Sequence, residues 1–82
     1  MSDSSSGRKR VAGFNQFSKL VRRGKALKVY LANDADLFFV TGVKNELEAN
    51  KTIVLDTSYT SAQLAEMAGV EVPTAVITEI EG

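Results

Sequence analysis

The segment Gly13-Phe14-Asn15-Gln16-Phe17-Ser18-Lys19 carries the residue types in this 82-residue sequence that point most directly to chemistry. On a helical wheel of about 100° per residue, Phe14, Phe17, Leu20 and Val21 share one arc, and Asn15, Gln16, Lys19, Arg22 and Arg23 share the other. Carboxamides pair a donor with an acceptor, as the edges of nucleobases do, and lysine neutralises phosphate. Backbone N–H groups at a helix start attract anions, and a glycine such as Gly13 just before it lets an RNA backbone come close. The same residues also suit an ordinary solvated helix face, so their types alone make RNA binding one of two readings.

Other chemistries fare worse. The chain has no histidine and no cysteine, which removes the Ser-His-Asp triad, an imidazole base, thiolate metal sites and disulfides. Asp34 and Asp36 have the spacing that opens a calcium loop, but Phe39 and Asn45 stand where the loop needs its Gly and its closing Glu. Gly13 and Gly24 flank a helix without the spacing of a phosphate-binding loop. Tyr30 and Tyr59 offer rings on which bases could stack, yet Tyr30 falls within an apolar strand and reads as core. An enzyme, a cofactor and a metal are not expected.

The elements that must hold this helix occupy one domain, since 82 residues with 44% hydrophobic content support a single core. Net charge is zero but unevenly placed. Residues 1–28 hold Arg8, Lys9, Arg10, Lys19, Arg22, Arg23, Lys25 and Lys28 against Asp3, whereas residues 29–82 hold Lys44 and Lys51 against nine acids. One positive surface on an acidic body favours an anionic partner at one place; two solvated faces that happen to separate is the bland alternative. Residues 1–10, polar and then basic, read as a flexible tail ahead of a folded domain over 11–82. No apolar run matches a signal peptide or a bilayer span, so a cytoplasmic protein without membrane association is expected.

After the first helix, with Gly24 as its stop, Ala26–Ala32 reads as a buried strand and Asn33–Asp36 as a turn whose Asp caps the next helix. That helix, about 36–49, puts Phe39, Val40, Val43 and Leu47 on one side, with Gly42 a weak point worth about 1 kcal/mol against Ala. Lys51–Asp56 reads as a second strand. Thr60 and Gln63 form a capping box for a short helix through Leu64, Met67 and Ala68 that ends at Gly69. Thr74–Ile80 is the last strand. Strands alternating with helices imply an α/β domain with helices on both sides of a small sheet.

Gly13-Phe14-Asn15-Gln16-Phe17-Ser18-Lys19 also resembles the G-x-N-E-x-T-K signature of the kink-turn RNA-binding family of archaeal ribosomal protein L-seven-Ae and its short bacterial homologues. Val29–Asp36 is similar to that family's strand and A-x-D-A/V-D/E turn, and Leu64–Val72 to its L-G-x-A-x-G-I-E-V segment. The likeness runs from about Val11 to Ile80, in the family's order and spacing. It implies a three-layer α/β/α sandwich with a small mixed four-stranded sheet. The implied partner is RNA bent at a three-nucleotide bulge beside tandem sheared G·A pairs, in a ribosomal or ribosome-associated role. The resemblance assigns G·A and backbone contacts to Asn15, Gln16 and Lys19, cover of a flipped bulge nucleotide to Val70, Glu71 and Val72, and a neighbouring acidic position to Asp36. Gly13, Arg22 and Arg23 complete the expected RNA-binding set.

Four departures stand out. Gln16 replaces the Glu of archaeal members, as in the short bacterial ones; Leu37 replaces a Pro, Ala65 a Gly, and Ser61 a Lys beside the flipped-base pocket. The alternatives are a protein-interaction module on the same fold, which calls for an exposed apolar patch and no basic helix face, and the substrate-binding part of an RNA-modifying enzyme, for which the chain lacks a catalytic domain and a nucleophile. A monomer is expected.

Overall fold

Alternation along one strand builds both halves of the core. In the computed structural model, which describes residues 8–82, Val29 and Leu31 of the strand Lys28–Leu31 face one side of the sheet and Tyr30 and Ala32 the other. In chain order the elements are β1 (Arg8–Ala12), α1 (Phe14–Arg22), β2 (Lys28–Leu31), α2 (Leu37–Glu48), β3 (Val54–Asp56), α3 (Ser61–Ala68) and β4 (Val76–Glu81). Phe17 and Val21 of α1 and Val43 of α2 pack with Val29, Leu31 and Val76 on the first side. Leu64 of α3 packs with Tyr30, Ala32 and Ile77 on the second. The outcome is the expected α/β/α sandwich.

The sheet is mixed, with order β1-β4-β2-β3. β4 pairs antiparallel with both β1 and β2, whereas β2 and β3 run parallel. The strand termini differ by a few residues from the sequence expectation. Leu27 N–H still bonds Glu79 C=O (2.8 Å), but β2 proper starts at Lys28, and turn bonds Asn50 N–H to Leu47 C=O and Ile53 N–H to Asn50 C=O shorten β3 to three residues.

The sheet has the expected four strands, but one of them begins where a flexible tail was expected. Arg8, Lys9 and Arg10, expected in a flexible tail, form β1 with Val11 and Ala12, opposite Glu81, Ile80 and Glu79. The rest of that expected tail, residues 1–7, lies outside the described residues. A buried acid supports the pairing: the Glu79 carboxylate, with 7% of its side chain exposed, accepts from Arg8 Nη1 at 3.1 Å and sits 3.5 Å from Arg10 Nε. A buried carboxylate needs such partners.

Asp36 is also corrected. It occupies the N-cap of α2 but has no side-chain cap hydrogen bond. Asp34 is the acid that ties a helix start, accepting from Ser61 N–H (2.9 Å) and Ser61 Oγ (3.1 Å) at the head of α3. The Thr60–Gln63 capping box and the left-handed Gly69 stop (φ 72°) form as the sequence predicts.

Gly42 is more than a weak point in α2. A Cβ built there lies 2.8 Å from Phe14 Cζ and 2.9 Å from Cε1, so its missing side chain is what lets the Phe14 ring rest on the helix. Phe14 is confined by Phe17, Phe38 and Phe39, with ring centroids 5.5, 6.2 and 6.1 Å away. Gly42→Ala therefore sets a helix-propensity gain of about 1 kcal/mol against overpacking of roughly 1–3 kcal/mol, and a net loss of stability is expected. Urea unfolding checks this, and combining it with Phe14→Leu should recover the loss. Truncation to Val11 should lower stability by on the order of 1–3 kcal/mol, because it removes three residues of the β1–β4 ladder together with both arginines paired to Glu79. A melting temperature equal to that of the full chain would contradict this role for β1.

Candidate nucleic-acid interface

Strand register gathers the segments singled out in the sequence at one end of the sheet. Ala12 of β1 lies opposite Ile77 and Leu31 of β2 opposite Val76, so the start of α1, the end of β2 and the loop preceding β4 meet there. Gly13 N–H bonds Val76 C=O (3.0 Å) and Ala32 N–H bonds Ala75 C=O (2.8 Å). The parallel pairing of β3 with β2 brings the next loop to the same end, where Asn33 N–H reaches Tyr59 C=O at 2.9 Å. Thr74 N–H closes the arrangement on Ser61 C=O (3.2 Å).

Gly13 is needed for its backbone. Its φ of 110° is one that side chains rarely tolerate, and a Cβ there would meet nothing within 4 Å, so the position is open as well as sharply turned. From this turn α1 runs with Phe17 and Val21 buried and Asn15, Gln16, Lys19, Arg22 and Arg23 exposed. α2 lies alongside in the same direction, since Phe14 touches Phe38 and the Gly42 position while Ser18 and Arg22 reach Glu46. The amino ends of α1, α2 and α3 thus all point to the loop end, and none of the three helices has an acid in its first turn. Asp36 at the N-cap of α2 and the Asp34 carboxylate on Ser61 at the head of α3 offset two of these amino ends, so the start of α1, capped by Gly13, is the one that adds positive potential there.

The expected site residues divide into groups. Gly13, Asn15 and Gln16 lie at the start of α1, Lys19 follows on the same face in its last turn, and Arg23 stands at its exposed C-cap. Arg22 is engaged elsewhere: its Nη2 lies 2.9 Å from Glu46 Oε2, which also accepts from Ser18 Oγ at 2.9 Å. Asp36 is exposed at the head of α2. Val70, Glu71 and Val72 form an exposed loop after Gly69, with Val72 68% exposed. Ser61, where the resembling family carries Lys, uses its hydroxyl to hold Asp34 and brings no cation to the loop. Tyr30 is core as expected, edge-on to Tyr59 at 5.9 Å with Lys28 Nζ 4.7 Å from its ring centroid.

Two features escaped the sequence reading. Glu46, the acid that holds Arg22, is 24 residues away from it, and only the parallel alignment of α1 and α2 brings the two together. Leu37 and Phe38, at the start of α2, are exposed. Among the described residues no cluster of three acids, histidines or cysteines could hold a metal, and no helix is long and apolar enough to cross a membrane.

The Arg22 hydrogen bond, joined by that of Ser18, holds the Glu46 carboxyl below its ordinary value against a smaller opposing effect of burial. A group with a lowered folded pKa contributes stability above its unfolded value, and loses it as pH falls through the folded one. Glu46→Gln should therefore melt below the parent near pH 7, with the gap closing as the solution is acidified past the ordinary glutamate range. A gap that stays constant with pH would show that the pair is not formed in solution.

No protein-family model matches the sequence, and no curated protein matches it at a significant level. Solved structures do. A protein of unknown function from Bacillus halodurans superposes with a TM-score of 0.78 at 19% identity, over 90% of this chain and 72% of that one. The 15.5kD RNA binding protein of Giardia lamblia superposes with a TM-score of 0.72 at 32% identity, over 90% of this chain and 61% of that one. This chain therefore spans less than two thirds of the Giardia protein while sharing its mixed-sheet α/β fold.

Proposed function

We propose that this protein is a non-enzymatic RNA-binding protein of the L-seven-Ae kink-turn family, of the short bacterial type. It acts as a monomer in the cytoplasm on kink-turn RNA, in a ribosomal or ribosome-associated setting. The observation that carries the reading is one exposed face of α1, with Asn15 and Gln16 in its first turn and Lys19 in its last, on a helix whose amino end carries no acid. Amides there can read base edges while Lys19 and the amino end of α1 hold phosphate. The RNA-binding name of the Giardia neighbour supports the same partner class. Val70 and Val72 offer apolar cover for an extruded nucleotide beside Asp36. The absence of both histidine and cysteine supports a binding role over catalysis.

Exposed Leu37 and Phe38 favour the second reading, a protein-interaction module. That reading leaves the amide and lysine face of α1 without a purpose, and RNA accounts for it.

Asn15→Ala is expected to weaken binding to a kink-turn duplex by about 1–3 kcal/mol while leaving the fold intact. It should also leave the dependence of affinity on salt nearly unchanged, because no cation is lost. Lys19→Ala should make that dependence shallower by about one unit. Titrations against an intact kink-turn and a control lacking its G·A pairs, at several salt concentrations, check both. If the parent binds the two RNAs equally, the kink-turn reading fails.

A further inference from the structure

Leu37 and Phe38 are 77% and 71% exposed, and with Thr41, Gly42 and Asn45 they border a shallow groove of about 450 Å³. An exposed aromatic ring is ordinarily free to turn, but this one is propped. Phe38 stands edge-on to Phe39 with centroids 5.2 Å apart and leans on Phe14 at 6.2 Å. Its outer surface is presented by a packed stack that reaches into the first turn of α1.

Size and chemistry select the occupant. Two exposed side chains of this kind offer a few hundred Å² at most, against about 800 Å² per partner in a stable protein association, so a second copy of the chain is a poor fit. A single planar ring matches the scale. The groove has an apolar floor, a hydroxyl from Thr41 and an amide from Asn45 at its rim, and no charged lining residue. A nucleobase carries that combination, with a π-face for Phe38 and polar edges for the rim. Asp36, exposed just before Leu37, disfavours phosphate directly above the groove, which leaves the base as the part that enters. The groove is also continuous with the start of α1, since Phe38 and Gly42 both meet Phe14, the residue preceding Asn15.

We propose that Leu37, Phe38 and Gly42 form a stacking platform for one unpaired nucleobase adjoining the RNA stem held by α1. The proposal rests on the reading of α1 as an RNA-binding helix and adds a contact outside the residues assigned to the kink-turn itself.

The test compares a blunt-ended kink-turn duplex with the same duplex carrying a short unpaired adenosine tail on the stem facing α1. The parent should bind the tailed RNA roughly tenfold more tightly. Phe38→Ala should abolish that difference without changing affinity for the blunt duplex, Phe38→Tyr should keep it, and Asn15→Ala should weaken both RNAs alike. In a second arm, hexa-adenylate is titrated into labelled protein, and the amide resonances of Leu37–Gly42 should shift in the parent and not in Phe38→Ala. Equal affinity for tailed and blunt RNA, with no shift along α2, overturns the platform. Shifts along α2 in a protein that ignores kink-turns uphold the platform and overturn the reading of α1. Sedimentation as a dimer that Phe38→Ala dissociates overturns the platform in favour of a self-association surface.

Discussion

Everything at the loop end depends on β4 being bonded along both edges. β1 and β2 flank it antiparallel, and the carbonyl of its first residue, Val76, receives the Gly13 N–H that starts α1. A backbone hydrogen bond of this kind contributes only about 1 kcal/mol, but its geometric effect is larger, because it fixes where the first helix begins. The pairing of Leu31 with Val76 then sets the turn leading into α2. Shifting β4 by one residue would exchange its two faces, placing Ile77 among the α1 and α2 side chains and Val76 against α3. The presentation of Asn15 and Lys19 thus depends on the register of a strand about sixty residues later in the chain.

Much of this was legible in the sequence, because the signals were local. Thr60 with Gln63 announces a helix start, Gly69 its end, and the wheel of α1 separates Phe17 and Val21 from Asn15 and Lys19 without reference to any other element. β1 was not legible for the opposite reason. Arg8-Lys9-Arg10 has no alternation and no β-branched residue, and its partners, the β4 ladder and the buried Glu79 that pairs with two arginines, lie about seventy residues away. The role of Gly42 was hidden in the same way. Local propensity marks a glycine in a helix as a defect, and only the placement of Phe14 shows it as a seat.

The positive charge of the N-terminal third serves two ends. Arg8 and Arg10 answer an internal acid, and Arg22 answers Glu46, so a count of cations overstates what is offered to a partner. Lys19 and Arg23 are exposed on the helix whose amino end opens on the loop side. Uncharged amides and the amino end of α1 therefore carry a larger share of any recognition than the sequence charge pattern indicates, and such groups depend on direction more than on ionic strength.

The adjacency of β1 and β4 also has a kinetic side. They are the first and last described elements, about seventy residues apart along the chain, so their pairing closes a long loop and raises the contact order of a small domain. During synthesis the ribosome releases β1 and α1 early, but the carbonyl that receives Gly13 emerges only with Val76. Until then α1 has no fixed starting point and Arg8 and Arg10 have no Glu79. The nascent chain is thus held without its finished helix face until β4 is free to insert between β1 and β2, which ties the presentation of that face to completion of the domain.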